Sequence, residues 1–530
     1  MKKIFINGKI YTGSLKKFAQ AFVLENDRFI FVGDSISALK KFNASDVMII
    51  DLKNKTVLPG FIDSHIHLDS GILSLDRLDL TEAENKKEFI KTIKGFVSGL
   101  KKGQWALGGG WDHRKLKGEM PDKKWVDAIT SENPLFLFSA DGHTALANSQ
   151  ALKIAGITKE SPDTDSGKIV RYPGSLEPNG ILKDKAIEMV ISKIGHAGCN
   201  EQKKSLDKVQ DYALSLGITG LNDMGIYRGR SESLFRTAFD LFKKNKLRIR
   251  MGFYFPLDDI DVFDDLKKKH CGENNFVYLL GLKGFVDGSL GSGTALFKEK
   301  YKDNSEGLLL NDINALRKNI MNADKKKYQL AVHAIGDLAN SLLLDIIQDV
   351  TDRNPFFDRR FRIEHAQHIL PSDIKRFKKL NVIASVQPSH IYFDGSWADD
   401  VIPEKTGSVP FPLKSFIKNK VDLAFGTDWT VAPLDPFLNI YSAVTRRTKE
   451  NIHKDGWMPF ERITLKQAID SYTAGSAYAE FNDEKKGRIK PGYLADFIVL
   501  DRDIFSVASE LIPDVRVAET YIGADKVFEL

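Results

Sequence analysis

From residue 57 to residue 428 of this 530-residue chain, β-type apolar runs alternate with amphipathic stretches of helical period. That alternation is what a parallel sheet covered by helices imposes on its sequence. Eight runs fit strands, at 57–65, 218–223, 247–255, 277–286, 329–333, 361–365, 382–386 and 421–428. The spacing between them predicts helices, among them 201–216, 231–244, 339–350 and 371–379. Eight parallel strands, each followed by a helix, is the number at which such a sheet closes, so the expected fold class is α/β with a TIM-like (β/α)8 barrel over 58–480.

The flanks read differently. Short strands at 4–6, 21–24, 29–32 and 47–52 precede the barrel, and LADFIVL (494–500) and 517–522 return to the same style after it. Two β-rich ends predict one small sandwich built from 1–57 and 481–530. Residues 70–200 separate the first two barrel strands, too far for a bare loop. They carry strand and helix signals of their own, including a predicted hairpin over 166–182. This insertion is expected to be a lid or pocket subdomain at the barrel mouth, the alternative being a structural embellishment.

Composition removes several classes of function. Apolar residues at 42% and charged residues at 28% are ordinary for a soluble globular protein. The net charge of +6 comes from 77 basic and 71 acidic residues. The lysine runs at 267–269 and 325–327 sit beside acids on predicted helices, which fits solvated faces and not a nucleic-acid surface. No apolar run reaches the roughly 18 residues of a spanning helix. The opening MKKIFINGKIYTG alternates where a signal peptide would be uniformly apolar. Cys199 and Cys271 are the only cysteines and lack C-x-x-C spacing, so a reducing, cytoplasmic setting is expected. A symmetric homodimer is the default expectation for assembly, and a small molecule for the substrate.

The chemistry starts at LPGFIDSHIHL, where an apolar strand ends in His65 and His67. Residues two apart on a strand share a face, so both imidazoles can reach one cation. Eleven histidines in 530 residues give roughly 0.2 such pairs by chance, so the motif alone is weak. It gains force from His333 in QLAVHAIGD, His365 in FRIEHAQH and Asp428 in LAFGTDW, each at or near the end of another predicted strand. Barrel strand ends converge on one site, and imidazoles with a carboxylate suit zinc first, then iron, manganese or nickel.

The fourth strand ends in GLKGFVDGSLGSGTA, which places Lys283, Phe285 and Asp287 on one face. Repulsion from nearby cations would lower the lysine pKa and free a nucleophilic amine. Such an amine can add carbon dioxide to give a carbamate that bridges two metals. Pairing with Asp287 or another acid is the alternative, and the residues leave both readings open. His113, His143, His390 and Arg446 are candidates for orienting substrate or stabilising an oxyanion, each with a structural role as its alternative, and Trp111 and Trp397 for apolar walls, with core packing as theirs.

Taken in order, PGFIDSHIHL, KGFVDGSLGSGTA, VHAIGDLAN, IEHAQHI, GTDW and KPGYLADFIVLD resemble the amidohydrolase superfamily over nearly the whole chain. Within it they are similar to amidohydrolase family 3, the group that includes YtcJ-like proteins and N-substituted formamide deformylase. The resemblance implies a distorted barrel flanked by a composite β-sandwich. It implies one or two divalent metals on His65, His67, His333, His365 and Asp428, with Lys283 as the carboxylated bridge (N6-carboxylysine). GGGWDHRKL, DGHTALANS and GSLEPNGIL are also similar to motifs of the group. They imply a pocket role for the insertion, with Trp111, Asp112, His113 and His143 as contacts. The expected reaction is attack of metal-activated water on an amide or N-acyl C–N bond, with Asp428 passing the proton to the departing amine. The same centre would serve a lactone, ester or phosphotriester, and a non-catalytic scaffold is the rival from another class.

Overall fold

All eight predicted strands form, and they pair in chain order into one parallel sheet. In the computed structural model they are β1 (Phe61–Ile66), β2 (Ile218–Met224), β3 (Arg250–Pro256), β4 (Val277–Phe285), β5 (Gln329–Ala334), β6 (Arg362–His365), β7 (Ile383–Val386) and β8 (Leu423–Phe425). The structure describes residues 2–13, 18–42, 47–74, 78–194, 199–226, 229–270 and 274–530. Cys271, one of the two cysteines behind the expected compartment, lies outside them.

The sheet bends round until its two ends meet. Beyond β8, the Asp428 N–H donates to the His65 carbonyl at 2.8 Å, and the His67 N–H donates to the Trp429 carbonyl at 2.7 Å. The result is a TIM-like barrel whose seam joins residues from opposite ends of the chain. The seam needs a glycine: a Cβ on Gly426 would lie 2.6 Å from the His65 nitrogen and 2.7 Å from its Cβ. Gly426→Ala is therefore expected to cost about 1–3 kcal/mol, read as a lower denaturation midpoint, because neither neighbour is a flexible side-chain end.

Two runs depart from the predicted bounds for backbone reasons. The run 57–65 is divided at Gly60, whose Cβ would clash with Thr219 at 2.3 Å. Thr56–Pro59 pairs with Phe497–Leu500 in a terminal sheet, and the chain enters the barrel only from Phe61 onward. The run 421–428 is shortened because the chain leaves the sheet at Gly426 and reaches Asp428 with φ at +60°.

The predicted helices appear at Cys199–Ser215, Arg230–Lys243, Asp337–Arg353 and Pro371–Lys379. The last starts on a proline, which lacks the N–H that a first turn cannot use. Leu234, Ala238, Leu343, Ile347 and Phe377 from these helices join Leu221, Phe253, Leu282 and Ile363 from the strands in one continuous core.

The termini contribute two sheets. One holds Lys2–Ile6, Ala21–Glu25, Arg28–Gly33 and Met48–Asp51; the other holds Lys9–Ile10, Thr56–Pro59, Phe497–Leu500, Val517–Ile522 and Asp525–Glu529. Phe5, Phe22, Phe29, Phe497 and Tyr521 form a buried aromatic cluster spanning both, with Phe497 and Tyr521 stacked at 4.3 Å. The insertion carries a six-stranded sheet, including the hairpin Gly167–Arg171 with Pro178–Asp184. Among the described residues, no helix is long and apolar enough to cross a membrane.

Candidate metal centre

β1 is buried along its whole length, so the imidazole at its end has little solvent to face. The His65 Nε2 lies 3.3 Å from Asp428 Oδ1, and the His67 Nε2 lies 2.9 Å from the same oxygen. The His65 ring centroid is 5.1 Å from that of His365, which is 4.3 Å from that of His333. Donor atoms of His65, His365 and Asp428 all lie within 4.8 Å of one another. His365 and Asp428 take φ of +70° and +60°, conformations costing about 1–3 kcal/mol each that turn the ends of β6 and β8 towards this point.

Hydrogen bonds fix which ring nitrogen is free. His67 Nδ1 sits 3.3 Å from the Met224 carbonyl and His333 Nε2 sits 3.1 Å from the Gly288 carbonyl. A carbonyl only accepts, so each of those nitrogens carries the proton, and the lone pair is left on His67 Nε2 and His333 Nδ1. Burial, reinforced by the neighbouring positive groups, holds His333 and His365 well below the usual imidazole range, so both are neutral.

These residues fit a divalent cation. His65 Nε2, His365 Nδ1, Asp428 Oδ1 and Lys283 Nζ are buried without a hydrogen-bond partner. An orphaned buried polar atom costs about 1–3 kcal/mol, and the lone-pair atoms of His65, His365 and Asp428, which converge, are relieved by one shared cation. The Lys283 ammonium lies over the Phe285 ring at 4.8 Å, and burial lowers its pKa to about 8 against the carboxylates of Glu364 and Asp428. The alternative pairing with Asp287 is not made. Asp287 lies beyond the end of β4 and accepts instead from the Leu296, Ile335 and Gly336 N–H groups.

The remaining candidates separate into three groups. His390 comes to the centre: its unpartnered Nε2 lies 3.8 Å from Asp428 Oδ2 and its ring stacks on His365 at 6.0 Å. His143, from the insertion, approaches His333 with ring centroids 5.9 Å apart and is held by Asp184 at 2.8 Å from Nδ1. Trp111, Asp112, His113 and Trp397 line a neighbouring cleft of about 350 Å³ with Asp141 and Leu290. Trp111 also donates to the Leu137 carbonyl, and Asp112 grips Arg114, whose guanidinium lies 3.7 Å over Trp397. Arg446 belongs to neither place. It is fully buried and spends its guanidinium on the carbonyls of Trp457, Phe411 and Pro410, so its expected contact with substrate is corrected to a packing brace.

Sequence reasoning missed Glu364, Arg362 and Ser385. Glu364 Oε2 lies 2.6 Å from His65 Nδ1, and both Arg362 and Ser385 bond Glu364. The available signal was the Arg-x-Glu spacing in the strand RIEH, which puts two opposite charges on one inward face.

The family model described as "Amidohydrolase family" matches residues 48–527. The chain belongs to the amidohydrolase family. It is 39% identical to "Protein LONG AFTER FAR-RED 3" of Arabidopsis thaliana, over 98% of this chain and 91% of that one. It is 29% identical to "Putative amidohydrolase YtcJ" of Bacillus subtilis over the full length of both. It is 25% identical to "N-substituted formamide deformylase" of Arthrobacter pascens, over 98% of this chain and 97% of that protein. Among solved structures, an uncharacterized metal-dependent hydrolase from Pyrococcus horikoshii superimposes with a TM-score of 0.79 at 31% identity, covering 96% of this chain and 99% of that one. The expected amidohydrolase resemblance and the TIM-like barrel both hold, and the hydrolase relatives agree with a centre built for a divalent metal.

Proposed function

We propose that this amidohydrolase cleaves a carbon–nitrogen bond other than a peptide bond, in a small amide or N-acyl compound. The observation that carries the reading is the convergence of unpartnered buried lone-pair atoms at the ends of β1, β6 and β8 beside a cleft. His65, His67, His333, His365 and Asp428 would hold the cation, zinc first among candidates, with Lys283 joining them as its carbamate. A divalent cation supplies acidified water and a polarised carbonyl in such a setting. Asp428 takes the proton of the attacking water and hands it to the departing nitrogen, which must be protonated to leave. His390, with a free Nε2 beside Asp428, donates to the substrate oxygen or the leaving group. The Lys283 amine, depressed by burial, adds carbon dioxide by forming an N–C bond and releasing a proton to solvent. The amide specificity is supported by the formamide deformylase relative.

We read the two terminal sheets as one composite sandwich, and the six-stranded insert as the lid whose His143 reaches the centre. Chelation should abolish turnover and added metal restore it, with His65→Ala failing to retain metal; an active metal-free protein overturns the scheme. A panel of N-acyl amides, lactones and phosphotriesters should show the highest kcat/KM on an amide, and a preference for either other class overturns the bond assignment. His390→Phe should lower kcat by about 10²-fold at unchanged metal content, as loss of one positioned donor does.

A further inference from the structure

The inside of this barrel is polar along one line. Gln329, on β5, donates through Nε2 to the Ala479 carbonyl at 2.8 Å and the Arg360 carbonyl at 2.9 Å. Its Oε1 accepts from the Tyr254 hydroxyl at 2.6 Å, and that hydroxyl accepts from an Arg362 amino group at 3.0 Å. Arg362 donates to both Glu364 oxygens, at 2.7 and 3.2 Å, and also to Ser64 O and Ser385 Oγ. The Ser385 hydroxyl donates to Glu364 Oε2 at 2.7 Å, and the same oxygen takes His65 Nδ1 at 2.6 Å. Gln329 is 4% exposed, Arg362 1%, and Tyr254, Glu364, Ser385 and His65 0%.

Barrel interiors are normally filled by branched apolar residues. A buried ion pair is often no more stabilising than well-packed hydrophobic side chains, so stability does not account for this line. What the line does have is an end point: it runs from Gln329 through Tyr254, Arg362 and Glu364 to one nitrogen of one imidazole. Arg362 and Ser385 together donate to both Glu364 oxygens and fix the carboxylate so that one oxygen faces β1. Both Glu364 oxygens already accept from N–H and O–H donors, so the carboxylate is an acceptor towards His65 too, and His65 carries its proton on Nδ1 and turns a lone pair on Nε2 towards Asp428.

We propose that Glu364 is the positioning residue of the metal centre, braced by Arg362, Tyr254 and Gln329, and that it sets the tautomer and aim of His65. The proposal rests on the reading of His65 as a metal ligand. Two readouts test it besides activity: Zn2+ affinity by chelator competition, and the ring tautomer by nitrogen NMR of metal-free protein labelled at histidine. E364Q should weaken Zn2+ binding roughly 10- to 100-fold, as loss of a partner behind a ligand does. It should also disturb the His65 Nδ1–H signal while the His333 signal stays put. A merely structural role would lower the melting temperature and move neither readout. Zn2+ affinity within twofold of the parent protein, with the His65 tautomer unchanged, overturns the proposal.

Should E364Q fail to fold, Ser385→Ala removes one donor from Glu364 and leaves Arg362 in place. A several-fold loss of Zn2+ affinity is then expected, and unchanged affinity overturns the proposal equally. His65→Ala separates the two levels. If it keeps full Zn2+ affinity, the ligand reading itself fails. If it loses the metal while E364Q and S385A keep it, only the positioning role fails.

Discussion

Asp428→Asn is expected to lower kcat by about 10²- to 10⁴-fold, the span that loss of a positioned acid–base group covers. The substitution is nearly isosteric, and asparagine tolerates the left-handed backbone at this position as well as aspartate does. What it removes is the ability to take a proton and the negative charge on the oxygen that His65 Nε2 and His67 Nε2 face. Turnover of an N-acyl amide, measured beside metal content by plasma mass spectrometry, checks it. A variant with full activity would remove Asp428 from the reaction.

Arg250→Ala is expected to destabilise the protein by about 3–5 kcal/mol, because it leaves a buried carboxylate without its partner. Arg250, on β3, forms a two-bond pair with Asp496 at 2.6 and 2.7 Å, and the two side chains are 2% and 4% exposed. Asp496 directly precedes the strand Phe497–Leu500, so the pair pins the terminal sheet to the barrel. Burial raises the Asp496 pKa, but Arg250 outweighs it and holds it below the usual value. In the parent protein this contribution is present above the ordinary carboxylate pKa and fades as pH falls through the depressed one. In the variant, burial is opposed only by the Gly523 N–H and the Lys486 ammonium, so the pKa rises from its depressed value and the deficit is largest at neutral pH and shrinks as Asp496 protonates. Urea unfolding at pH 7 and pH 4 measures this directly, and an equal deficit at both would contradict it.

The barrel was legible in the sequence because parallel strands buried on both faces are written as nearly continuous apolar runs, separated by helices of a different period. The ligands were legible for a related reason. His333 and His365 sit where such runs stop, so the rule that strand ends converge turned separate histidines into one cluster. Where the reading fell short, the information lay in other parts of the chain. Nothing in 57–65 marks Val57 for a terminal sheet and Phe61 for the barrel, since both are apolar and only the close approach of Thr219 to Gly60 divides them. Glu364 looked like a charge next to a histidine, and its importance depends on Arg362, Ser385 and Tyr254 arriving from three strands. Arg446, one of four candidates for orienting substrate, is instead claimed by three backbone carbonyls that its own segment does not announce.

The seam between β8 and β1 has a consequence for how the protein is made. The Thr427 N–H donates to Asp63 Oδ1 across 364 residues of sequence. During synthesis the first strand leaves the ribosome long before the segment that completes its pairing exists. Until then β1 is a bare apolar edge with two exposed imidazoles, prone to wrong partners in the way long-range sheets are. Ring closure and assembly of the reactive centre are thus one late event. A nascent chain therefore completes this centre only after residue 428 of its 530 has been translated.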